Sequence, residues 1–495
     1  MYYPDFAGFQ RKSKEGNLIP VYKEVLADLE TPLSAFRKID SGNYAFLLES
    51  VEGGEKWARY SFLGSNPSLV FKSKGQSAEI IDQGGARRLT VETDPLDLLQ
   101  SLLEKYRPVK VEGLPRFYGG LVGYMGYDLI RFIERLPCAA SDDLQVPDCL
   151  FLLTDTLLIF DNLTHKIKIV SNVHLDDRNR SQLQSAYQEA LRKIDALGSS
   201  LRRPLGAPLS PQLGDPREEI SSNLSQREFE GAVEEAKRYI KAGDCIQVVL
   251  SQRFRTRLTA DPLDVYRALR VVNPSPYMYY LRLGEVKIVG SSPEVMVRLE
   301  DGQIDVRPIA GTRPRGKSEE EEERIAAELL TDPKEQAEHI MLVDLARNDV
   351  GRVSQIGTVK VNELMAIEKY SHVMHIVSNV QGHIQEGKSA FDVIRACFPA
   401  GTVSGAPKIR AMEIIEELER VRRGIYAGAI GYFSFSGNMD TCITIRTIII
   451  LDGNAYTQVG AGIVADSQPE KEYQETLNKA KAMILALKMA EEGLE

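Results

Sequence analysis

Val295-Met-Val-Arg-Leu-Glu-Asp-Gly-Gln-Ile-Asp-Val-Arg-Pro-Ile309 reads as two strands folded back on Asp301-Gly302. Asp-Gly is a preferred dipeptide for two-residue antiparallel turns because both of its positions tolerate positive φ. The turn pairs Glu300 with Gln303, and carrying that register outward sets Glu294 opposite Ile309, beside Ala310-Gly311-Thr312. One pocket is therefore expected to receive both Glu294 and the Gly311-Thr312 backbone. The same alternation recurs along the chain. Strands are expected at 44–51, 57–63, 68–72 and 286–290, with a glycine-rich strand or loop at 119–126. A hairpin is expected from 149–160 and 166–170, and a meander from 425–435, 439–451 and 455–464. In the middle meander strand Asp440, Cys442, Thr444 and Arg446 share the polar face.

Helical spacing predicts helices at 20–40, 94–105 and 183–197, another opened by the capping box of Ser225 and Glu228, then 318–331, 332–348, one entered at Pro407, and one from Pro469. Strands and helices interleave, so the fold class is α/β (α+β). Residues 198–222 lose periodicity and collect Gly, Pro and Ser, which marks an exposed connection between an N-terminal region, 1–197, and a second region, 223–495.

The 495 residues carry 61 Lys and Arg against 70 Asp and Glu, a net charge of -9, without any basic run interleaved with aromatics. No nucleic acid partner is expected. Five cysteines without CxxC spacing argue for a reducing compartment and against a zinc or disulfide framework. The start lacks the apolar core of a signal peptide and no apolar run reaches about 18 residues. The expectation is a cytoplasmic protein with no membrane association.

The helix from Pro469 stacks Glu472, Glu475 and Lys479 on one face, beside an apolar stripe of Tyr473, Leu477, Ala480 and Ile484. Ser467 and Glu470 read as its capping box. Glu335 and Glu338 repeat the device on a helix whose other positions, Ile340 to Val343 and Leu345, are apolar enough to predict burial. A buried carboxylate wants a cation. Glu335 could equally be the capping partner of Asp332, and Glu475 an ordinary ion-pair partner of Lys479. Two oxygen-only pairs point to Mg²⁺ over zinc. His375, in an apolar segment, is by base rate a satisfied core histidine. The loop at 399–408 lacks the Gly-Lys-Ser/Thr of a phosphate loop but offers amide donors to a carboxylate. Arg446 is either an internal ion-pair partner or a clamp for a substrate carboxylate.

Ser292-Pro-Glu294, Arg307-Pro-Ile-Ala-Gly-Thr-Arg313, Glu338-His-Ile-Met-Leu-Val-Asp-Leu-Ala-Arg-Asn-Asp349, Gly401-Thr-Val-Ser-Gly-Ala-Pro-Lys408, Gly460-Ala-Gly-Ile-Val464 and Glu475-Thr-Leu-Asn-Lys479 occur in this order. Together they resemble the chorismate-utilising enzymes, and among these the family of large, aminase subunits of anthranilate synthase (component I). The resemblance is dense from about residue 224 to the C-terminus. It implies two antiparallel sheets packed together with helices outside, the two halves of the chain intergrown.

It further implies an Mg²⁺-dependent lyase that turns chorismate and ammonia into anthranilate and pyruvate, the first step of tryptophan biosynthesis. Glu338 and Glu475 resemble direct Mg²⁺ ligands, with Glu335 and Glu472 acting through water. Arg446, Tyr426, Lys479 and the amides around Gly460 and Gly462 resemble the cradle of the substrate carboxylates, and Thr402, Gly311 and Thr312 its ring contacts. Glu294 resembles the general acid and His375 the histidine of pyruvate loss. Gln247 stands where water-using relatives carry a lysine base, and Ala310 where aminodeoxychorismate synthases carry a lysine; both choices favour ammonia and anthranilate.

Leu48, Glu49 and Ser50, with Pro276, Tyr277, Met278 and Cys442, resemble a tryptophan feedback site. No glutamine amidotransferase GxCxG motif surrounds any cysteine, so a separate glutaminase subunit, component II, is expected, in a heterotetramer of two large and two small subunits. The rival readings are an aminodeoxychorismate synthase component I and a non-catalytic tryptophan-binding or nucleotide-binding protein on the same scaffold.

Overall fold

The computed structural model describes residues 1–50, 59–176, 182–205, 220–369 and 373–494. Among them, 13 strands form one antiparallel sheet and 12 form a second. Tyr44–Glu49 shows why the two sheets pack as they do. Phe46 turns into the apolar layer shared with Leu121 and Phe433 of the smaller sheet, while Ala45 and Leu47 turn to the opposite layer. That second layer is completed by Phe36, Ile194, Tyr266 and Met483 of helices outside the larger sheet. Burying each large side chain contributes about 1.5–3 kcal/mol, so a strand apolar on both faces belongs inside.

Neither half of the chain builds a sheet alone. Tyr44–Glu49 pairs with Tyr277–Leu283 in the larger sheet, and Gly120–Met125 pairs with Ala429–Ser434 in the smaller. The Asp301-Gly302 hairpin forms with Glu300 opposite Gln303, and both turn residues have positive φ.

Several expectations are corrected. The first part of 20–40 is a strand, Leu18–Leu26, and only Pro32–Ile39 is helical. Pairing along Lys166–His174 overrides the helical spacing there. The expected strands 149–160 and 439–451 are each two strands, Cys149–Thr154 then Thr156–Asp161, and Met439–Ile443 then Thr447–Leu451. In each case the chain passes from the smaller sheet to the larger, so the meander is divided between them. The hairpin of Ser77–Asp82 and Gly85–Thr90 was not expected, because its exposed second strand alternates too little to signal itself.

The ladder from the Asp301-Gly302 hairpin stops at Arg298 and Asp305, so Glu294 is not paired with Ile309; Ile309 instead pairs with Val377. The 183–197 helix continues to Leu201. The interior of the 198–222 connection, the ends of the 44–51 and 57–63 strands, and His372 lie outside the described residues.

Candidate active site

Glu294 and Arg446 occupy two corners at which the chain changes sheets. Val286–Ser292 belongs to the larger sheet and Val295–Glu300 to the smaller, so Pro293-Glu294 is the passage between them. Thr444 to Arg446 is the return passage, and Arg446 adopts φ 52°, the left-handed region. The corners lie side by side: Ile443 N–H donates to the Glu294 carbonyl at 3.0 Å and Ser291 N–H to the Arg446 carbonyl at 3.1 Å. The shared polar face expected for 439–451 is therefore broken: Asp440 and Cys442 line one cavity, and Arg446 belongs to another place.

Glu294 is 9% exposed. Burial pushes its pKa up to about 8, although the Thr402 hydroxyl and the Lys479 ammonium pull the other way. Burial holds Arg446 below the usual arginine range. Its guanidinium reaches Asn273 Oδ1 at 3.5 Å, and no carboxylate among the described residues pairs with it. A cation so placed is suited to an anionic ligand.

His375 lies on Val373–His383 opposite Thr312. Its Nδ1 donates to the Gly311 carbonyl at 2.9 Å, with Thr312 Oγ1 at 3.2 Å. The carbonyl can only accept, so Nδ1 holds the proton and Nε2 the lone pair in the neutral ring. Burial, then the charge of Arg446, holds the imidazole below its usual range despite the Gly311 hydrogen bond. Gly311 sits at a break in strand register with φ 64°, where a Cβ would come within 3.1 Å of Glu335 Oε2. Only glycine suits that conformation and that approach.

On the other side, Gly460 and Gly462 face Ser251 and Val249 across the ladder. A Cβ at Gly460 would meet the Tyr426 hydroxyl at 2.7 Å, and one at Gly462 would meet Gln247 Nε2 at 2.6 Å. Both glycines are thus what lets Tyr426 and Gln247 approach the strand. Lys479 Nζ donates to the Gly460 carbonyl at 3.0 Å. Gln247 Oε1 and Thr444 Oγ1 are buried without a hydrogen-bond partner among the described residues, whereas the Thr402 hydroxyl is turned to Glu294. Such orphaned groups are costly unless a ligand completes them. Thr444 was placed on the polar face with Arg446 by the sequence but not among the candidate site residues.

The four glutamates come from two helices, Pro333–Gly351 and Pro469–Glu491. Burial, Glu335 and Glu475 all raise the pKa of Glu338, and burial and Glu475 raise that of Glu472. The helices therefore bring their carboxylates within electrostatic reach, as a hard-cation site requires.

As placed, no group of three or more His, Cys, Asp or Glu among the described residues is close enough to hold one ion. Glu335 is turned to Arg313 at 3.1 Å and Glu475 to Lys479 at 2.6 Å. An oxygen-only donor set of mutually repelling carboxylates fits Mg²⁺ in chemistry, though not yet in distance. Glu335 is not the capping partner of Asp332, whose side chain caps the Lys334 and Glu335 amides. The Ser467 and Glu470 capping box does not form, because the helix starts at Pro469 with Gln468 as its cap; the Ser467 hydroxyl lies against Glu472. Nor is the Pro333–Gly351 helix buried all round: Ile340 is 41% exposed.

A second cavity is lined by Leu48, Glu49, Ser50, Pro276, Tyr277, Met278 and Cys442. Glu49 is buried, accepting from the Tyr266 hydroxyl and paired with Arg270 at 3.3 Å. Arg116, Arg298 and Asp440 also line it. Asp440 receives Arg116 at 2.9 Å and the Tyr277 hydroxyl at 2.9 Å. Arg116, Arg298 and Asp440 join it from distant segments without a local motif, so residue order did not assign them to this cavity.

The sequence profile of the family described as chorismate binding enzyme matches residues 45–485. The chain is 51% identical over 497 residues to anthranilate synthase component 1 of Acetivibrio thermocellus, covering 99% of this chain and all of that protein. The crystal structure of anthranilate synthase component I from Streptococcus pneumoniae superposes with a TM-score of 0.75 at 38% identity, covering 93% of this chain and 99% of that one. The menaquinone-specific isochorismate synthase MenF of Escherichia coli shares the fold at a TM-score of 0.71 and 19% identity, covering 97% of each chain. By sequence and by fold, the chain belongs to the chorismate-binding enzymes, in the family of anthranilate synthase component 1.

Proposed function

We propose that the chain converts chorismate and ammonia to anthranilate and pyruvate. The observation that carries this reading is a carboxyl held protonated near neutral pH, Glu294, at the corner adjoining an arginine, Arg446, with no carboxylate partner among the described residues. Arg446, the Tyr426 hydroxyl, Lys479 and the amides around Gly460 and Gly462 receive the substrate carboxylates, while Thr402, Gly311 and Thr312 border the ring. Glu338 and Glu475, supported by Glu335 and Glu472, would hold Mg²⁺. When bound, the ion neutralises the ring carboxylate and so favours attack by a neutral amine.

Glu294 gives its proton to the C4 oxygen, which leaves as water while ammonia forms the bond to C2. Loss of the C2 proton and cleavage of the C3–O bond then release pyruvate and leave the aromatic ring. His375, neutral and fixed with Nδ1 protonated, is placed in this second half. Gln247, a neutral amide, cannot activate water as a lysine would, so ammonia is the nucleophile.

Ammonia comes from a partner glutaminase subunit, in an assembly of two large and two small subunits. The name component 1 carried by the relatives implies such a partner, and four of the five cysteines here are buried. The region 223–495 carries the chemistry. The region 1–197 supplies Leu48, Glu49 and Ser50 to a cavity we assign to L-tryptophan as feedback inhibitor.

Purified chain with chorismate, ammonium and Mg²⁺ tests the reaction. Fluorescent anthranilate with equimolar pyruvate is expected. An aminated ring retained without pyruvate would identify an aminodeoxychorismate synthase instead.

A further inference from the structure

Arg423 is 2% exposed and lies outside every role assigned above. Its guanidinium donates from Nη1 to the Val403 carbonyl at 2.6 Å and from Nη2 to the Val249 carbonyl at 2.7 Å. It also grips both carboxylate oxygens of Glu419, at 2.9 and 2.6 Å. Its guanidinium carbon lies over the Tyr426 ring, 5.6 Å from the centroid, and over the Tyr127 ring at 4.8 Å. Glu419 Oε1 in turn accepts from the amide and the hydroxyl of Ser251, each at 2.8 Å.

Apart from Tyr127, these contacts end at, or one step from, a residue of the substrate site. Val403 follows Thr402. Val249 and Ser251 are the register partners of Gly462 and Gly460. Tyr426 is the ring whose hydroxyl a Cβ at Gly460 would meet. The turn, the strand and the ring come from separate parts of the chain, and this one planar cation is bonded to or stacked on all three. A lysine has the charge but not the fork needed to span two carbonyls and a carboxylate at once.

We infer that Arg423, braced by Glu419, is a positioning residue that sets the spacing of the carboxylate cradle and so governs chorismate affinity more than turnover. This rests on the proposed chorismate chemistry of the same site.

Arg423→Ala would strand a buried Glu419 and put folding at risk, so the test uses Arg423→Lys and Glu419→Gln in the full chain. Steady-state kinetics with ammonium and Mg²⁺ are paired with calorimetric titration of chorismate and a thermal melt. For Arg423→Lys, KM and the chorismate Kd are expected to rise together by about tenfold, the scale of one net hydrogen bond lost, with kcat within about threefold. Glu419→Gln moves both constants in the same direction by less. A folded Arg423→Lys variant with wild-type KM and Kd overturns the inference, as does a fall confined to kcat. If Arg423→Lys does not fold, unchanged constants in Glu419→Gln overturn it. If wild-type chain binds chorismate yet forms no anthranilate, the reaction assignment fails while the titrations still decide the role of Arg423.

Discussion

Ile443 donates its amide to the carbonyl of Glu294 at 3.0 Å, joining the strand that begins after the acid to the strand that ends before Arg446. The bond ties the two sheet-changing corners together, so acid and cation are fixed to the same piece of backbone. Chemistry that needs a proton donor and an anion clamp in register then follows from the fold.

Glu294→Gln keeps the shape and removes the proton. Turnover with ammonia is expected to fall by about 10²-fold or more, while calorimetry still detects chorismate binding. Turnover within threefold of wild type would remove Glu294 from the acid role.

The same group gives a stability signature. Its folded pKa, about 8, lies above the ordinary 4.5, so the folded state holds the extra proton between these values. Stability contributed by neutral Glu294 is present below the lower value and is lost as pH rises toward the upper one. Glu294→Gln should therefore melt above wild type by about 1–3 °C at pH 8, the gap closing near pH 4.5. Parallel melts across that range check it, and a gap independent of pH counts against a neutral Glu294.

Activity should depend on pH from both sides. It falls above about pH 8 as Glu294 loses its proton. It also falls below the depressed pKa of His375, where the ring gains one. A kcat/KM profile measured at saturating ammonia, corrected for the ammonia fraction, reads both limbs. A profile that stays flat up to pH 9 would contradict the Glu294 assignment, and the absence of any acid limb would contradict that of His375.

Glu338→Gln is expected to abolish Mg²⁺-dependent turnover and leave the far-ultraviolet spectrum unchanged, and a chelator should do the same to wild type until Mg²⁺ is restored. Near-normal rates in the variant would exclude Glu338 as a ligand.

Glu49→Ala removes the acceptor of Tyr266 and the partner of Arg270 in the second cavity. The tryptophan concentration for half inhibition should rise by about tenfold or more, consistent with loss of a hydrogen bond to a charged group, with the uninhibited rate little changed. Ser50→Ala should act in the same direction. Inhibition curves overlaying wild type would reject the tryptophan assignment.

The Asp301-Gly302 hairpin and the Ser225 and Glu228 capping box were legible in residue order alone, because a turn and a cap are local properties. Only the tertiary structure decided that 149–160 and 439–451 break to cross between sheets, and that 20–26 is strand, since an available ladder partner overrides local spacing. It also set Glu294 deep enough to keep its proton and left Arg446 with no carboxylate beside it among the described residues. Desolvation and charge pairing are sums over neighbours drawn from the whole chain, and residue order does not contain those sums until the sheets have closed on each other.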